Sequence, residues 1–177
     1  MKADKIGITG WSSGGHLSAL AGTTSGKTNG KSGSAAVDST GTTPKYREQS
    51  DAVQAVADWF GPTDFLIMDS CGSTMNHDEE KSPESKLIGG KIQENKDKTT
   101  LANPSFYVSA DTPPFLIFHG DKDPLVPLCQ SEKLHARLVE KGVKSTLVVV
   151  PNGKHGPGVM IEKYYDQMIR FFDQYIK

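Results

Sequence analysis

The residues Gly10-Trp11-Ser12-Ser13-Gly14 carry the clearest chemical meaning in this sequence. The spacing G-x-S-x-G puts a serine at a tight, strained turn between a strand and a helix, where side chains at the flanking positions would collide with neighbouring backbone. Such a turn presents the Ser12 hydroxyl as a nucleophile. The helix N-terminus behind it offers free N–H groups and a positive dipole end to a developing oxyanion. The backbone N–H of Ser13 is the first donor for that charge. Ser13 is also the rival nucleophile, but no glycine stands two residues before it, so Ser12 is preferred. The plain structural alternative is a helix start with a serine cap and packing glycines.

A serine hydroxyl needs a base, and the base needs an orienting carboxylate. His119-Gly120-Asp121-Lys122-Asp123-Pro124 offers two carboxylates after an apolar run. Asp123, beyond the turn and directly before Pro124, is expected to project into the site, whereas Asp121 is expected to tie down the turn. Of the five histidines, His155 lies in the glycine-rich stretch Asn152-Gly153-Lys154-His155-Gly156, which can swing an imidazole back toward Ser12. His16 is expected to be a packing or supporting residue, His77 a solvated loop residue, His119 a buried hydrogen-bonded one, and His135 part of a surface helix. The chemistry implied is acyl transfer: His155 takes the Ser12 proton, Asp123 fixes the imidazole, and water resolves an acyl-enzyme. Trp11, Leu125 and Val126 are equally readable as pocket lining or as core. These residues imply no metal and no cofactor.

The elements that must hold these groups follow from periodicity. Lys5–Thr9 and Ala52–Phe60 read as strands, as do Phe115–His119 and Ser145–Val150. Helical patterns run from Gly14 up to Gly22 and from Gln130 to Lys141, the latter closed by Gly142. Met160–Ile176 is an amphipathic helix with Ile161, Tyr164, Tyr165, Met168, Ile169, Phe172 and Ile176 on one side. A polar, irregular excursion runs from Phe65 to Lys98 with a short helix near Ser82–Ile88. Thr23–Gln49, rich in Gly, Ser, Thr and Lys, reads as a mobile surface loop. Four strands alternating with helices predict an α/β fold with a doubly wound, mostly parallel sheet, whose functional groups gather at the strands' carboxyl ends.

Bulk properties set wide bounds. The 177 residues suit a single domain. The net charge of −1 and 36% hydrophobic content point to neither nucleic acid nor an anionic membrane as partner. No apolar run nears the roughly 20 residues of a membrane helix. Met1-Lys2-Ala3-Asp4-Lys5 leads straight into an apolar strand, so no signal peptide is expected within the sequence. Cys71 and Cys129 read first as unrelated thiols and alternatively as one disulfide; they settle no compartment.

At these residues the sequence resembles the esterase/lipase families of the α/β-hydrolase fold, in particular bacterial carboxylesterases related to feruloyl and acetyl-xylan esterases. The resemblance rests on Gly10 to Leu17, Asp58 to Phe65, Ala102-Asn103-Pro104-Ser105, Pro113 to Pro127 and Gly153 to Gly156, in the family's order. It implies that Ser12, Asp123 and His155 form a triad and that Ser13 supplies one oxyanion donor. It also implies a small-molecule ester as substrate. Such enzymes have about four strands before the nucleophile strand, with a loop among them giving the second oxyanion donor. Here that strand begins at residue 5. The expectation is therefore an N-terminally truncated fold whose edge strand is completed by another copy or by a missing N-terminal segment. That segment could also carry a signal peptide, which leaves localisation open. A prolyl-oligopeptidase-type peptidase resembles the Gly-Trp-Ser-x-Gly-Gly stretch as well, and a weakly active or inactive hydrolase-fold binding module is the alternative from another class.

Overall fold

A computed structural model describes residues 5–25 and 50–177. The stretch expected to form the mobile loop lies outside these residues, apart from its first three positions. Of those, Thr23 and Thr24 belong to a helix, because the first helix continues through Gly22 to Thr24.

The described residues form nine main elements: β1 (Gly7–Trp11), α1 (Ser13–Thr24), β2 (Ala55–Trp59), α2 (Pro83–Ile88), α3 (Lys96–Leu101), β3 (Phe115–Gly120), α4 (Cys129–Glu140), β4 (Ser145–Val150) and α5 (Glu162–Ile176). The strands pair in the order β1-β2-β3-β4, all parallel. β2 and β3 are buried along their whole length, which explains their continuous apolar character. Successive residues of β3 serve opposite faces. Phe115 and Ile117 join Ala19 of α1 with Leu134 and Leu138 of α4, whereas Leu116 and Phe118 pack with Tyr164 and, more loosely, Met168 and Phe171 of α5. Helices thus cover both faces, as a doubly wound sheet requires. Among the described residues no helix is long and apolar enough to cross a membrane.

Some boundaries differ from expectation. β1 is shifted two residues toward Ser12, and β2 begins only at Ala55. The apolar side of α5 is also rotated, because Ile161 and Ile169 are exposed while Phe171 faces the sheet. The excursion between β2 and β3 is more ordered than its polarity suggests. It holds α2 and α3, and it builds its own apolar cluster from Phe65, Met68, Ile88 and Ile92, joined by Val126 of the β3–α4 connection. Ser82 caps α2 by accepting from the Ser85 N–H, Pro83 starts the helix and left-handed Gly89 ends it. Cys71 and Cys129 are joined as a disulfide, which corrects their reading as unrelated thiols. The excursion folds back onto the start of α4, and a separation of 58 residues hides this from any local pattern.

Candidate active site

Each candidate residue follows the carboxyl end of a strand: Ser12 after β1, Asp123 after β3 and His155 after β4. The Ser12 backbone has φ 54° and ψ −121°, a region that is costly for any residue with a side chain. Its N–H donates to Trp59 O at 2.9 Å, tying the turn to the end of β2. At Gly10 a Cβ would stand 2.4 Å from the Gly14 carbonyl oxygen, so that glycine is needed for the close approach. At Gly14 a Cβ would meet nothing within 4 Å among the described residues, so the collision expected there is absent.

The structure brings Ser12, His155 and Asp123 together. His155 Nδ1 lies 2.7 Å from Asp123 Oδ2, and His155 Nε2 lies 2.9 Å from Ser12 Oγ. Asp123 Oδ1 accepts the N–H groups of Leu125 and Val126 at 2.9 and 3.0 Å. Since the carboxylate serves as acceptor, His155 Nδ1 carries the hydrogen and Nε2 is left as an acceptor facing the Ser12 hydroxyl. The Asp123 side chain is fully buried, and that of His155 is 18% exposed. Ser13 is the first residue of α1, so its N–H has no intrahelical acceptor.

Asp121 Oδ1 accepts the Asn152 N–H at 2.7 Å and so ties the turn after β3 to the turn after β4. His16 is buried, and its Nε2–H donates to Ala102 O at 2.7 Å; burial holds its pKa below the ordinary range despite that bond. His119 is fully buried, with Nε2 2.8 Å from Val126 O and Nδ1 2.6 Å from Ser131 Oγ. Burial lowers its pKa too, so the neutral ring donates from Nε2 and accepts the Ser131 hydroxyl at Nδ1. His135 Nδ1 contacts Ser145 Oγ on the surface of α4. The expectation for His77 fails. It is 2% exposed and hydrogen-bonded, because the excursion closes over it. Trp11 and Leu125 open to the surface, whereas Val126 is core.

Two residues near the site escaped the sequence reading. Phe60 adopts φ 43°, rare for a bulky residue, and its ring meets the His155 ring edge-on at 4.7 Å between centroids. Asp58, inside β2, is fully buried; Oδ1 accepts the Gly61 N–H at 2.9 Å while Oδ2 has no hydrogen-bond partner among the described residues. Burial pushes its carboxyl up to about 7. A charged residue within an otherwise apolar strand was the available signal for Asp58. A cleft of about 410 Å³ beside α4, lined by Asp64, Phe106, Lys133 and Arg137 among others, includes none of the Ser12, Asp123 and His155 side chains.

The chain is similar to known esterases. The BD-FAE family model matches residues 1–138. Esterase LipQ of Mycobacterium tuberculosis is 30% identical over 155 residues, covering 86% of this chain and 32% of its own. A truncated carbohydrate esterase from gut microbiota is 41% identical with a TM-score of 0.86, covering 98% of this chain and 60% of that one. A bifunctional GH43-CE protein of Bacteroides eggerthii is 40% identical with a TM-score of 0.81, over 96% of this chain and 23% of its own. The chain thus spans about a third or less of the length of the curated relatives it matches.

Proposed function

The chain belongs to the BD-FAE family, and from that premise we propose that it carries the acyl-transfer site of a carboxylic-ester hydrolase with Ser12, His155 and Asp123 as its catalytic residues. The carrying observation is the continuous relay of 2.9 and 2.7 Å contacts from the Ser12 hydroxyl through His155 to the buried Asp123. Ser12 Oγ attacks the ester carbonyl carbon while its proton passes to His155 Nε2. The tetrahedral oxyanion accepts from the Ser13 N–H at the start of α1. Collapse expels the alcohol, which takes the proton from His155, and leaves an acyl-Ser12. Water then attacks with His155 again as base, releasing the acid and restoring the hydroxyl. Asp123 keeps the ring oriented and stabilises its charged form.

The substrate class we propose is an ester borne on a carbohydrate, supported by the names of the two structures at 40 and 41% identity. We take residues 1–177 as one α/β-hydrolase domain with an excursion at about 66–100. β1 is an edge among the described strands, and the adjacent Ile6 and its own Trp11 are exposed. Pairing of that edge with another copy, or with a further segment of the protein, belongs to the same proposal. A clean, stable and fully active monomer in sedimentation would count against it.

The test is covalent labelling by a fluorophosphonate, expected for the folded wild type and abolished in Ser12→Ala. Turnover of p-nitrophenyl acetate or a feruloyl ester, against an aminoacyl-proline amide, separates ester from peptide cleavage. A folded wild type that does not label would refute the enzyme reading and favour a binding module.

A further inference from the structure

We propose that His77 is a positioning residue whose charge state sets how firmly the loop bearing Asp123 is held, and that the excursion between β2 and β3 acts as a clamp on that loop. This rests on the reading of Asp123 as the acid that orients His155.

The loop after β3 exposes consecutive carbonyls that β-pairing does not satisfy, and each is taken by a different group. Pro124 O accepts from the Thr74 N–H at 3.0 Å and the Thr74 hydroxyl at 2.7 Å. Leu125 O accepts from Ser73 Oγ at 3.1 Å and faces His77 Nε2 at 3.0 Å. Val126 O accepts from His119. Thr74, Ser73 and His77 all belong to the excursion, and the Cys71–Cys129 disulfide ties the same segment to the residue that opens α4. The Leu125 and Val126 N–H groups go to Asp123 itself. Movement of these peptides therefore moves the carboxylate.

His77 holds its place through acidic neighbours. Its Nδ1 lies 3.0 Å from Glu84 Oε2 of α2 in a buried ion-pair contact that is not aligned as a linear hydrogen bond. Its backbone N–H donates to Asp69 Oδ1 at 2.9 Å. Glu84 and Asp69, both of the excursion, are the charged groups that face it among the described residues; from the acid loop it meets the Leu125 carbonyl. Burial opposes the imidazolium, but the Glu84 contact and charge, with lesser help from Leu125 O and Asp69, raise the pKa above the ordinary 6.5.

The consequence lies in the third partner of Nε2. Ser73 Oγ is 2.8 Å from it. While His77 is charged, Nε2–H donates toward Leu125 O, and the Ser73 hydroxyl is free to donate there too. When His77 is neutral with its hydrogen on Nδ1 toward Glu84, Nε2 becomes an acceptor. The Ser73 hydroxyl then turns to Nε2, and Leu125 O loses both donors together. The neutral ring also sets its lone pair against that carbonyl. The stabilisation from the charged ring is complete at and below the ordinary histidine range and is lost as pH rises through the raised value.

The experiment is the pH dependence of p-nitrophenyl acetate hydrolysis, from about pH 5 to about pH 9.5, by the full chain, its His77→Gln and Glu84→Gln variants, each checked for folding by circular dichroism. Wild type should show an alkaline decline of roughly tenfold in kcat with KM within about twofold, since a displacement of about 1 Å in a catalytic group can cost about 10²-fold and this loosening is partial. Glu84→Gln should move the decline to lower pH. His77→Gln, which keeps an uncharged amide donor for Leu125 O, should abolish the decline while retaining activity. If the His77 variant does not fold, Glu84→Gln carries the test. No turnover and no fluorophosphonate labelling by folded wild type would overturn the functional reading. Turnover with no alkaline decline, or with one unmoved in these variants, would overturn the clamp alone.

Discussion

Replacing Gly120 by alanine should disable the site without touching any residue of the Ser12–His155–Asp123 relay. Gly120 ends β3, and a Cβ there would stand 2.2 Å from the Gly153 oxygen and 2.3 Å from its carbonyl carbon. Both opposing atoms are backbone, so no side-chain rotation relieves the overlap. The turn after β4 must retreat by about 1 Å to restore ordinary contact. That turn is bonded to the acid side at Lys122 N–H to Gly153 O and Asn152 N–H to Asp121 Oδ1. His155 follows two residues later, so the retreat stretches its contacts to Ser12 and Asp123. A misplacement of that size costs on the order of 10² in kcat, or about 2.7 kcal/mol of barrier. Overpacking should also cost about 1–3 kcal/mol of stability. The assay is p-nitrophenyl acetate turnover beside a melting curve, with Gly14→Ala as the stability control, since a Cβ there meets nothing within 4 Å. A Gly120→Ala enzyme within about threefold of wild type, under 1 kcal/mol of barrier, would show that the two turns are not locked.

Two further outcomes follow from strain and burial. Ser12→Gly should melt higher than Ser12→Ala, reversing the usual order, because a φ of 54° penalises alanine by about 1–3 kcal/mol; equal melting temperatures would mean that the turn stores no such strain. Asp58, raised to about 7 by burial, stabilises the fold fully below its ordinary 3.8, and that contribution is lost as pH rises through about 7. The total change is on the order of 4 kcal/mol. Asp58→Asn cannot ionise and keeps an acceptor for the Gly61 N–H, so its melting temperature should fall less between about pH 5 and about pH 8 than wild type's, and parallel slopes would contradict this.

Much of the candidate site was legible because its signals are local. Gly10 and Ser12 announce a strand–turn–helix junction within five residues, and Asp123 before Pro124 and His155 among glycines each follow a strand that periodicity finds. The long-range devices were not legible. The disulfide joins residues 58 apart, and His77 looks solvated because Asn76, Asp78, Glu79 and Glu80 surround it in sequence. Its burial comes in part from the loop after β3, 48 residues away, which no local window containing His77 includes. Phe60 was missed for a related reason: its positive φ is imposed by the turn into Gly61 and by the bond from its N–H to Phe118 O, not by its own preferences.

Two histidines hold adjacent carbonyls of the acid loop, and their environments push them in opposite directions. His119 lies inside the fold with Ser131 on its far nitrogen, and burial keeps it neutral, so its bond to Val126 O persists across the neutral range. The same ring lies 3.6 Å from Asp123 Oδ2. Were it to charge, it would compete with His155 for the carboxylate, so its neutrality protects the relay. His77 has a carboxylate on its far nitrogen instead, and against the opposing effect of burial the Glu84 contact and charge raise its pKa. One anchor is thus insensitive to pH near neutrality while the next is not. The difference comes from burial, which dominates at His119, and from the glutamate that faces His77 on the side of the ring away from the loop.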